Sequence, residues 1–257
     1  MGRRRSSGRR RRGSSGFLYK LLSTLAISAA IIVAMTLFFR VDHVIVTGQQ
    51  RYTSEEIVAA TGVEMGDNLY LMDKNSIVAG MLEQLPYIEN IRISRKLPDT
   101  LLVDVRECGR PMALVQNGSA WLISPRGKIV EQTSLQAAAA YGILDGCDLL
   151  DPVVGEKITL ATEYASQQSS LLSLLEVLET AGELERVDAI HLEDLSMLTV
   201  DYIGRFTIQM PYEADYARKF RALRQILDES GAIQDNMTGT FDMRREDGKV
   251  NLIQNVR

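Results

Sequence analysis

The sequence has few of the residues that most often carry chemistry. Its 257 residues include two histidines, two cysteines and one tryptophan. The histidines, His43 and His191, are too few for a His-rich metal site, and neither has metal-ligand spacing to a cysteine. Two cysteines do not form a disulfide framework, and the sequence leaves open whether Cys108 and Cys147 pair. These shortages predict a protein without a metal centre.

Catalytic signatures are lacking as well. No glycine-rich phosphate loop follows a strand, and no GxSxG motif is present. The carboxylates, such as Glu55, Glu56, Glu183 and Glu185, stand where solvated helix faces and caps are expected. We therefore predict no catalytic residue and no cofactor, and we favour a binding protein over an enzyme.

Acidic residues are missing from the first 40 positions, which hold nine of the 29 basic residues. The rest of the chain keeps 20 basic residues against all 33 acidic ones, a net charge of −13. A body this acidic makes nucleic acid an unlikely ligand by charge alone.

The same 40 residues predict a membrane anchor. Residues 1–16 hold seven arginines among Gly and Ser, and this composition is typical of a disordered tail. Residues 17–39 are long enough to cross a hydrocarbon core of about 30 Å. A cleaved signal peptide is the alternative, but the apolar run is longer than usual and ends in LFFR, a poor cleavage site. The arginines place the tail in the cytoplasm and the rest of the chain across the membrane.

Beyond the anchor, local patterns predict the order strand-helix-helix-strand-strand over residues 41–107. Residues 41–46 form the first strand. Thr53 and Glu56 have capping-box spacing before a short helix, and Asp73 caps a second helix over residues 74–84. The segment LPYIENIRISRKLPDTLLVDVRE, residues 85–107, alternates apolar and polar residues on both sides of a Pro-Asp pair, which predicts an antiparallel hairpin with one wet face.

The chain resembles the FtsQ/DivIB family of bacterial cell-division proteins. The resemblance is carried in order by VDHVIVTGQQRYTSEEIVAATG (41–62), DNLYLMD (67–73), the hairpin of residues 85–107 and RPMAL after it. One departure is Gln49, where the family often has Asn after the glycine. The resemblance implies an α+β fold, in which a single transmembrane helix precedes a POTRA domain over residues 41–110 and a β-rich domain with two helices over residues 111–254.

Residues 111–254 carry further signals for that second domain. Asn117-Gly118 predicts a hairpin turn, and residues 135–158 look like a loop. Helices are expected over residues 163–181 and from Tyr216 to Leu227, with three strands between them over residues 187–210. A closing hairpin is expected around Asp247-Gly248.

The resemblance also implies partners and where they bind. Partners would be small bitopic division proteins of the FtsB/DivIC and FtsL type and other members of the division complex, with residues 17–39 in the lipid bilayer. By position, the candidate binding residues lie at the end of the chain: Arg244, Arg245, Val250, Leu252 and Ile253. A second candidate is the edge strand of the POTRA hairpin, at Ile91, Arg92, Ile93 and Arg95. Its basic residues are compatible with an edge strand that pairs with a partner strand. They are equally compatible with an edge strand whose charges prevent such pairing.

The function implied is a non-enzymatic scaffold at the division septum, in the cell membrane. One alternative is a POTRA-type chaperone in secretion or membrane-protein assembly, which would normally carry tandem POTRA repeats or a barrel. Another is an extracytoplasmic cell-wall hydrolase or sensor, which would need a convergent acid and nucleophile or a closed apolar pocket. The sequence shows neither set of features.

Overall fold

The computed structural model describes residues 15–228, 237–245 and 250–254. Its first element is helix α1, Ser15–Phe38. Among the described residues, one helix is long and apolar enough to cross a membrane, the 23-residue part of α1 over Gly16–Phe38. At 1.5 Å per residue this length is about 34 Å, enough for a hydrocarbon core of about 30 Å. The basic tail expected over residues 1–16 lies almost entirely outside the described residues.

The unit after α1 has the strand-helix-helix-strand-strand order that the sequence predicts. Its elements are β1 His43–Thr47, α2 Ser54–Thr61, α3 Lys74–Gln84, β2 Ile88–Lys96 and β3 Thr100–Glu107. Strand β3 lies at the centre of a three-stranded sheet, parallel to β1 and antiparallel to β2. The prediction that the first hairpin arm lies at a sheet edge and the second lies inside is confirmed.

Local capping explains where both helices begin. The Thr53 side chain accepts from Glu56 N while the Glu56 side chain accepts from Thr53 N, a complete capping box. Gly62 ends α2 in the left-handed conformation at φ +63°. Asp73 accepts from Asn75 N at the start of α3, so this helix has the bounds that the sequence predicts.

The two helices cover one face of the three-stranded sheet. Apolar residues at alternate positions of β3 turn toward them, since successive side chains of a strand point to opposite faces. The buried cluster consists of Val41, Ile57, Ala60, Leu69, Met81, Leu85, Ile88, Ile93, Leu101, Val103 and Val105.

The rest of the chain builds a nine-stranded sheet with the order β12-β11-β10-β9-β8-β7-β4-β5-β6. Its strands are β4 Met112–Gln116, β5 Ser119–Ile123, β6 Ile129–Thr133, β7 Gly142–Asp145, β8 Val187–His191, β9 Met197–Tyr202, β10 Phe206–Pro211, β11 Gly239–Asp242 and β12 Asn251–Gln254. The pairs β4/β7, β7/β8 and β10/β11 are parallel and the others are antiparallel. Strand β12 therefore forms one edge of the sheet.

Two long helices cover one face of this sheet. They are α5, Ala165–Ala181, and α6, Tyr216–Asp228, and both contribute to the larger buried cluster of the protein. A four-residue helix, α4, Leu135–Ala138, packs through Ala138 into a smaller cluster on the opposite face. Single 3-10 turns precede α5 and β8, at Thr162–Tyr164 and Leu184–Arg186.

The expectation of a loop over residues 135–158 is wrong. This segment contains α4 and strand β7, which lies in the middle of the nine-stranded sheet. Strand β7 has only four residues, begins with Gly142 and is followed by Gly146, so its local pattern is that of a turn region. Its two partners are parallel strands that are distant in sequence, and no local pattern reveals such pairing.

The cysteines do not pair. Cys108 is half-buried and Cys147 is buried, and both are free thiols. Burial raises the pKa of each thiol to about 12. Neither thiol is thus activated as a nucleophile.

Candidate functional site

Strand β12 presents an edge of the nine-stranded sheet on its far side from β11. Its register pairs Thr240 with Ile253 and Asp242 with Asn251. An edge strand carries backbone N–H and C=O groups that a strand of another protein can use. Which residues of β12 offer these groups follows from the bonds on the other side of β11.

Backbone groups of successive residues in a strand point to opposite sides. Gly239 N donates to Arg205 O at 3.3 Å and Met243 N, directly after β11, donates to Gln209 O at 2.9 Å. The backbone N–H groups of these two residues therefore point toward β10. Thr240 and Asp242 then face β12 and hydrogen-bond with Ile253 and Asn251. The backbone groups of the alternate residues, Leu252 and Gln254, point to the open edge.

The side chains of β12 add an apolar element to this edge. Ile253 is 57% exposed, so its apolar side chain is accessible to another molecule. Leu252 and Val250 are half-buried and pack against the larger core cluster. The three candidate apolar residues therefore play different parts, because two anchor the strand and one is available to a partner.

Arg244 and Arg245 follow β11 directly. Arg244 holds Asp242 by a two-point ion pair, with Nε–Oδ1 at 2.9 Å and Nη2–Oδ2 at 2.7 Å. Hydrogen bonds from Arg244 lower the pKa of Asp242 to about 2. The carboxylate stays charged at neutral pH and fixes the guanidinium, whose side chain is still 52% exposed. The carbonyl oxygen of Arg245 accepts from Lys219 Nζ at 3.2 Å, which ties this segment to α6.

A groove of about 320 Å³ runs beside these residues. Its lining includes Tyr212, Glu213, Lys219 of α6, Arg244 and Val250. Its walls carry both apolar surface and charges of both signs. Of the predicted residues, Arg244 and Val250 line this groove, and Leu252 and Ile253 lie on the edge strand β12.

The second candidate edge, β2, is different. In the register of β2 with β3, Ile93 lies opposite Val103, between Arg92 opposite Asp104 and Ser94 opposite Leu102. There, the Ile93 carbonyl accepts from Lys74 Nζ of α3 at 2.9 Å. An ammonium group already occupies the acceptor that an incoming strand would need.

The basic residues of β2 do not form a common patch. Arg95 Nη2 donates to Met72 O at 3.2 Å, and its guanidinium lies 5.6 Å from the Tyr70 ring. Arg92 is exposed and Ile91 is half-buried. Arg95 is thus engaged within the unit, which favours the blunted-edge interpretation of β2 over the partner-accepting one.

Comparison with known proteins finds a family match and several relatives. A family model described as "POTRA domain, FtsQ-type" matches residues 39–107. The "Cell division protein FtsQ" of Syntrophotalea carbinolica is 26% identical over 192 residues, 74% of this chain and 65% of the relative. That of Anaeromyxobacter sp. (strain K) is 32% identical over 177 residues, 62% of this chain and 59% of the relative. The "Cell division protein DivIB" of Clostridium acetobutylicum is 24% identical over 121 residues, 47% of this chain and 48% of the relative.

The FtsQ-type POTRA match and these relatives support membership of the FtsQ/DivIB family. The matched stretches span between about half and two thirds of the length of these three relatives. The FtsQ-type POTRA match coincides with the three-stranded sheet and its two helices, and α1 fits a membrane anchor before it.

Polar contacts join the POTRA unit to the nine-stranded sheet. Arg51 lies over the ring of Tyr87, 3.7 Å from its centroid, and both side chains contact Glu131 of β6. Lys128 Nζ donates to Leu82 O at 2.9 Å. Burial lowers the pKa of Lys128, so its backbone contacts are what stabilise the buried ammonium.

Glu89 is the least compensated group of this junction. Its side chain is 2% exposed and lies 3.2 Å from Arg126 Nε and 3.6 Å from Arg106 Nη2. Among the described residues, neither of its carboxylate oxygens receives a hydrogen bond of good geometry. Burial and then the negative charge of Glu179 raise the pKa of Glu89. The two ion pairs do not offset the cost of burying this charge.

Replacing Glu89 with glutamine is expected to raise the melting temperature at pH 7.5 by roughly 2–4 °C, the change that about 1 kcal/mol produces in a protein of this size. A carboxyl whose pKa is raised in the folded state contributes stability that is complete below its unfolded pKa of about 4.3. That contribution is lost as pH rises through the folded pKa. Glutamine avoids this loss because it has no charge. Thermal unfolding of the full chain in detergent, followed by circular dichroism from pH 4 to 8, measures the difference.

The difference between Glu89→Gln and the parent chain should disappear near pH 4. Glu83→Gln is the matched control, because Glu83 is an exposed glutamate nearby on α3 and should leave the melting curve unchanged. If Glu89→Gln lowered the melting temperature at pH 7.5, the ion pairs with Arg126 and Arg106 would outweigh burial, contrary to this account.

The sequence did not reveal one cluster, because the two histidines predicted no metal centre. The structure brings the side chains of Asp145, His191 and Glu193 together, with one possible ligand atom from each within 4.8 Å of the others. The sequence feature that came closest to revealing this cluster was Asp145-Gly146, an aspartate before a glycine in the segment that was expected to be a loop. The neighbourhood exists only because β7 and β8 pair in parallel.

Proposed function

We propose that this protein is a non-enzymatic, membrane-anchored scaffold of the bacterial division machinery. In this proposal, it binds small bitopic proteins of the FtsB/DivIC and FtsL type and links them to septal peptidoglycan synthesis. The observation that carries the proposal is the edge of β12, where the backbone groups of Leu252 and Gln254 face outward beside the exposed Ile253. A partner strand added there would gain main-chain hydrogen bonds and cover an apolar side chain.

Strand β12 suits this task better than the other sheet edges. At β2, Lys74 already bonds to the carbonyl of Ile93. At β6, the backbone of Ile129 bonds with Gly155 and Glu156, both at 2.8 Å. Strand β1 begins five residues after α1 ends, close to the membrane. The docking surface is thus proposed at the end of the nine-stranded sheet.

Specificity would come from the groove and from Arg244. Side chains of an added strand alternate, so every second one would point toward the groove beside Val250. The guanidinium of Arg244 is held in place by Asp242, which lowers the entropy lost when a partner carboxylate or carbonyl binds to it. Arg245 lies next to it on the same segment.

The proposed orientation follows from the charge asymmetry. Arginines of residues 1–16 would remain in the cytoplasm, with residues 17–39 in the lipid bilayer. Residues 41–110 and 111–254 would then be two extracytoplasmic domains, which their separate buried clusters support. The protein would accumulate where the division complex assembles.

A fluorescent protein fused before Met1 tests the location and the orientation together. We expect a fluorescent band at the septum of dividing cells. The orientation is tested because the fused protein is expected to fluoresce only if the amino terminus lies in the cytoplasm. A control with residues 17–39 replaced by an unrelated single span should keep the band, because the proposed partner contacts lie beyond the membrane. Uniform membrane fluorescence of the parent fusion throughout division would contradict the scaffold proposal.

The proposal that the protein is not an enzyme has its own test. Full-length protein in detergent, incubated with purified peptidoglycan, should release no soluble fragments, whereas a hydrolase run in parallel should. Release of fragments by the purified chain would replace the scaffold with a cell-wall hydrolase.

A further inference from the structure

Three potential ligand side chains converge at the carboxyl ends of two parallel strands. Asp145 is the last residue of β7 and His191 is the last residue of β8, and the two are partners in the strand register. Glu193 lies two residues beyond β8. Because carboxyl ends of parallel strands lie at the same edge, these side chains approach one another although 46 positions separate the first two. The Asp145 Oδ2 to His191 Nδ1 distance is 3.6 Å.

A second carboxylate orients the imidazole. Asp201 of the neighbouring strand β9 lies 3.0 Å from His191 Nε2 through its Oδ2. Its Oδ1 accepts from Thr207 Oγ1 at 3.0 Å, so Asp201 is itself held in place. A carboxylate acceptor at Nε2 favours the tautomer with the proton there, which leaves the lone pair of Nδ1 facing Asp145. Metal-bound histidines are commonly held by such a carboxylate on their second nitrogen.

Backbone groups also hold the side chains of Asp145 and Glu193 in position. Gly146 N donates to Asp145 Oδ1 at 2.9 Å, which leaves Oδ2 toward the imidazole. Gly146 has φ +73°, and a Cβ at this position would lie 2.4 Å from Cγ of Glu193. A larger residue would therefore push Glu193 away. The bond from Leu192 N to Asp145 O, at 3.0 Å, holds the start of the Glu193 segment against β7.

We propose that Asp145, His191 and Glu193 bind a divalent transition-metal ion of the zinc class, with Asp201 as a positioning residue. One imidazole nitrogen and two carboxylates form a three-ligand set, which leaves at least one coordination position open. The imidazole favours zinc over calcium and magnesium, which prefer oxygen ligands alone. Asp145 is 59% exposed, so water or a donor from another molecule can reach the open position.

Titration calorimetry of tag-free, full-length protein in detergent at pH 7.5 tests the proposal, with ZnCl₂ as the probe and MgCl₂ and CaCl₂ as comparators. We expect one saturable zinc site in the micromolar range and no saturable heat with magnesium or calcium. Asp145→Asn and Glu193→Gln should each weaken zinc binding at least tenfold. Glu176→Gln, an exposed glutamate of α5, is the matched control and should bind as the parent does.

Asp201 is tested separately, because it acts through His191. Asp201→Asn should weaken zinc binding about 10- to 100-fold, whereas Asp201→Glu should restore most of it. Zinc binding that survives Asp145→Asn and Glu193→Gln would place the metal elsewhere, for instance at a cysteine, and would overturn the proposal. Absence of saturable zinc binding would overturn it too, and would leave His191 as an imidazole bridging two carboxylates.

Discussion

Replacing Leu252 with proline is expected to lower the affinity of the chain for a bitopic partner of the FtsB/DivIC type at least tenfold. The backbone N–H of Leu252 points to the open edge of β12, so proline removes a donor that an added strand would use. The ring also occupies the space of the partner's carbonyl. A tenfold loss corresponds to about 1.4 kcal/mol, roughly one net backbone hydrogen bond. Co-purification of the full chain with its partner from membranes, followed by affinity measurement in detergent, gives the result.

The same geometry predicts that the variant folds. Proline is tolerated on edge strands where its nitrogen faces away from the sheet, and β12 bonds to β11 through Asn251 and Ile253 instead. Leu252→Ala is the matched control, because it removes the same half-buried side chain and keeps the N–H. Partner affinity should therefore fall with proline and not with alanine. Equal affinities of the two variants would show that the edge of β12 is not the docking surface.

Local signals in the sequence were sufficient for much of this fold. Helix α3 has the predicted bounds because Asp73 caps its start and Pro86 stops it. The turn between β4 and β5 follows from Asn117-Gly118, whose residues have φ of +52° and +77° as this turn type requires. Each of these features is decided by neighbours in sequence, so pattern and propensity could reveal it.

Features that depend on distant pairing could not be predicted in this way. Strand β7 was interpreted as loop because it has only four residues, starts with a glycine and is followed by another, and so has no strand signature. Asp145 and His191 became neighbours only through that strand, so the cluster was missed with it. The sequence also did not reveal that Lys74 bonds to the carbonyl of Ile93 on the edge strand β2, because this contact depends on how α3 packs on the sheet.

The candidate docking residues could be predicted in part from the sequence. Their position at the end of the chain came from family order, and the structure puts Leu252 and Ile253 on the edge strand β12, while their role in binding stays a prediction. The turn expected at Asp247-Gly248 lies outside the described residues. The sequence could not show that Leu252 and Ile253 differ, since that difference depends on which side of β11 bonds to β10.

Replacing Gly48 with alanine is expected to lower the free energy of unfolding of the POTRA unit by at least about 3 kcal/mol, from strain at positive φ together with overpacking. Gly48 follows β1 with φ +87°, and a Cβ there would lie 2.0 Å from the carbonyl oxygen of Val105. This neighbour is backbone of the central strand β3, so it cannot turn aside as a side chain could. Relief requires β1 and β3 to separate at this end.

Gly62→Ala is the control that separates strain from overlap. Gly62 also has positive φ, at +63°, but a Cβ there meets no atom within 4 Å. Its replacement should cost only about 1 kcal/mol, from the left-handed backbone. Urea unfolding of the full chain in detergent compares the two variants. Equal losses would mean that the contact with Val105 relaxes at little cost, against this prediction.

Together, Gly48→Ala and Leu252→Pro separate the contributions of the two sheets. The largest buried cluster of each sheet shares no residue with the other, and a smaller third cluster packs Tyr87 of the POTRA unit against the nine-stranded sheet. Damage at Gly48 should therefore unfold the POTRA unit first and leave β12 able to bind its partner. Leu252→Pro should have the opposite effect, with an intact POTRA unit and weakened capture. If Gly48→Ala abolished capture as well, the junction through Glu131 and Lys128 would have to transmit the damage, and the two sheets would act as one binding unit.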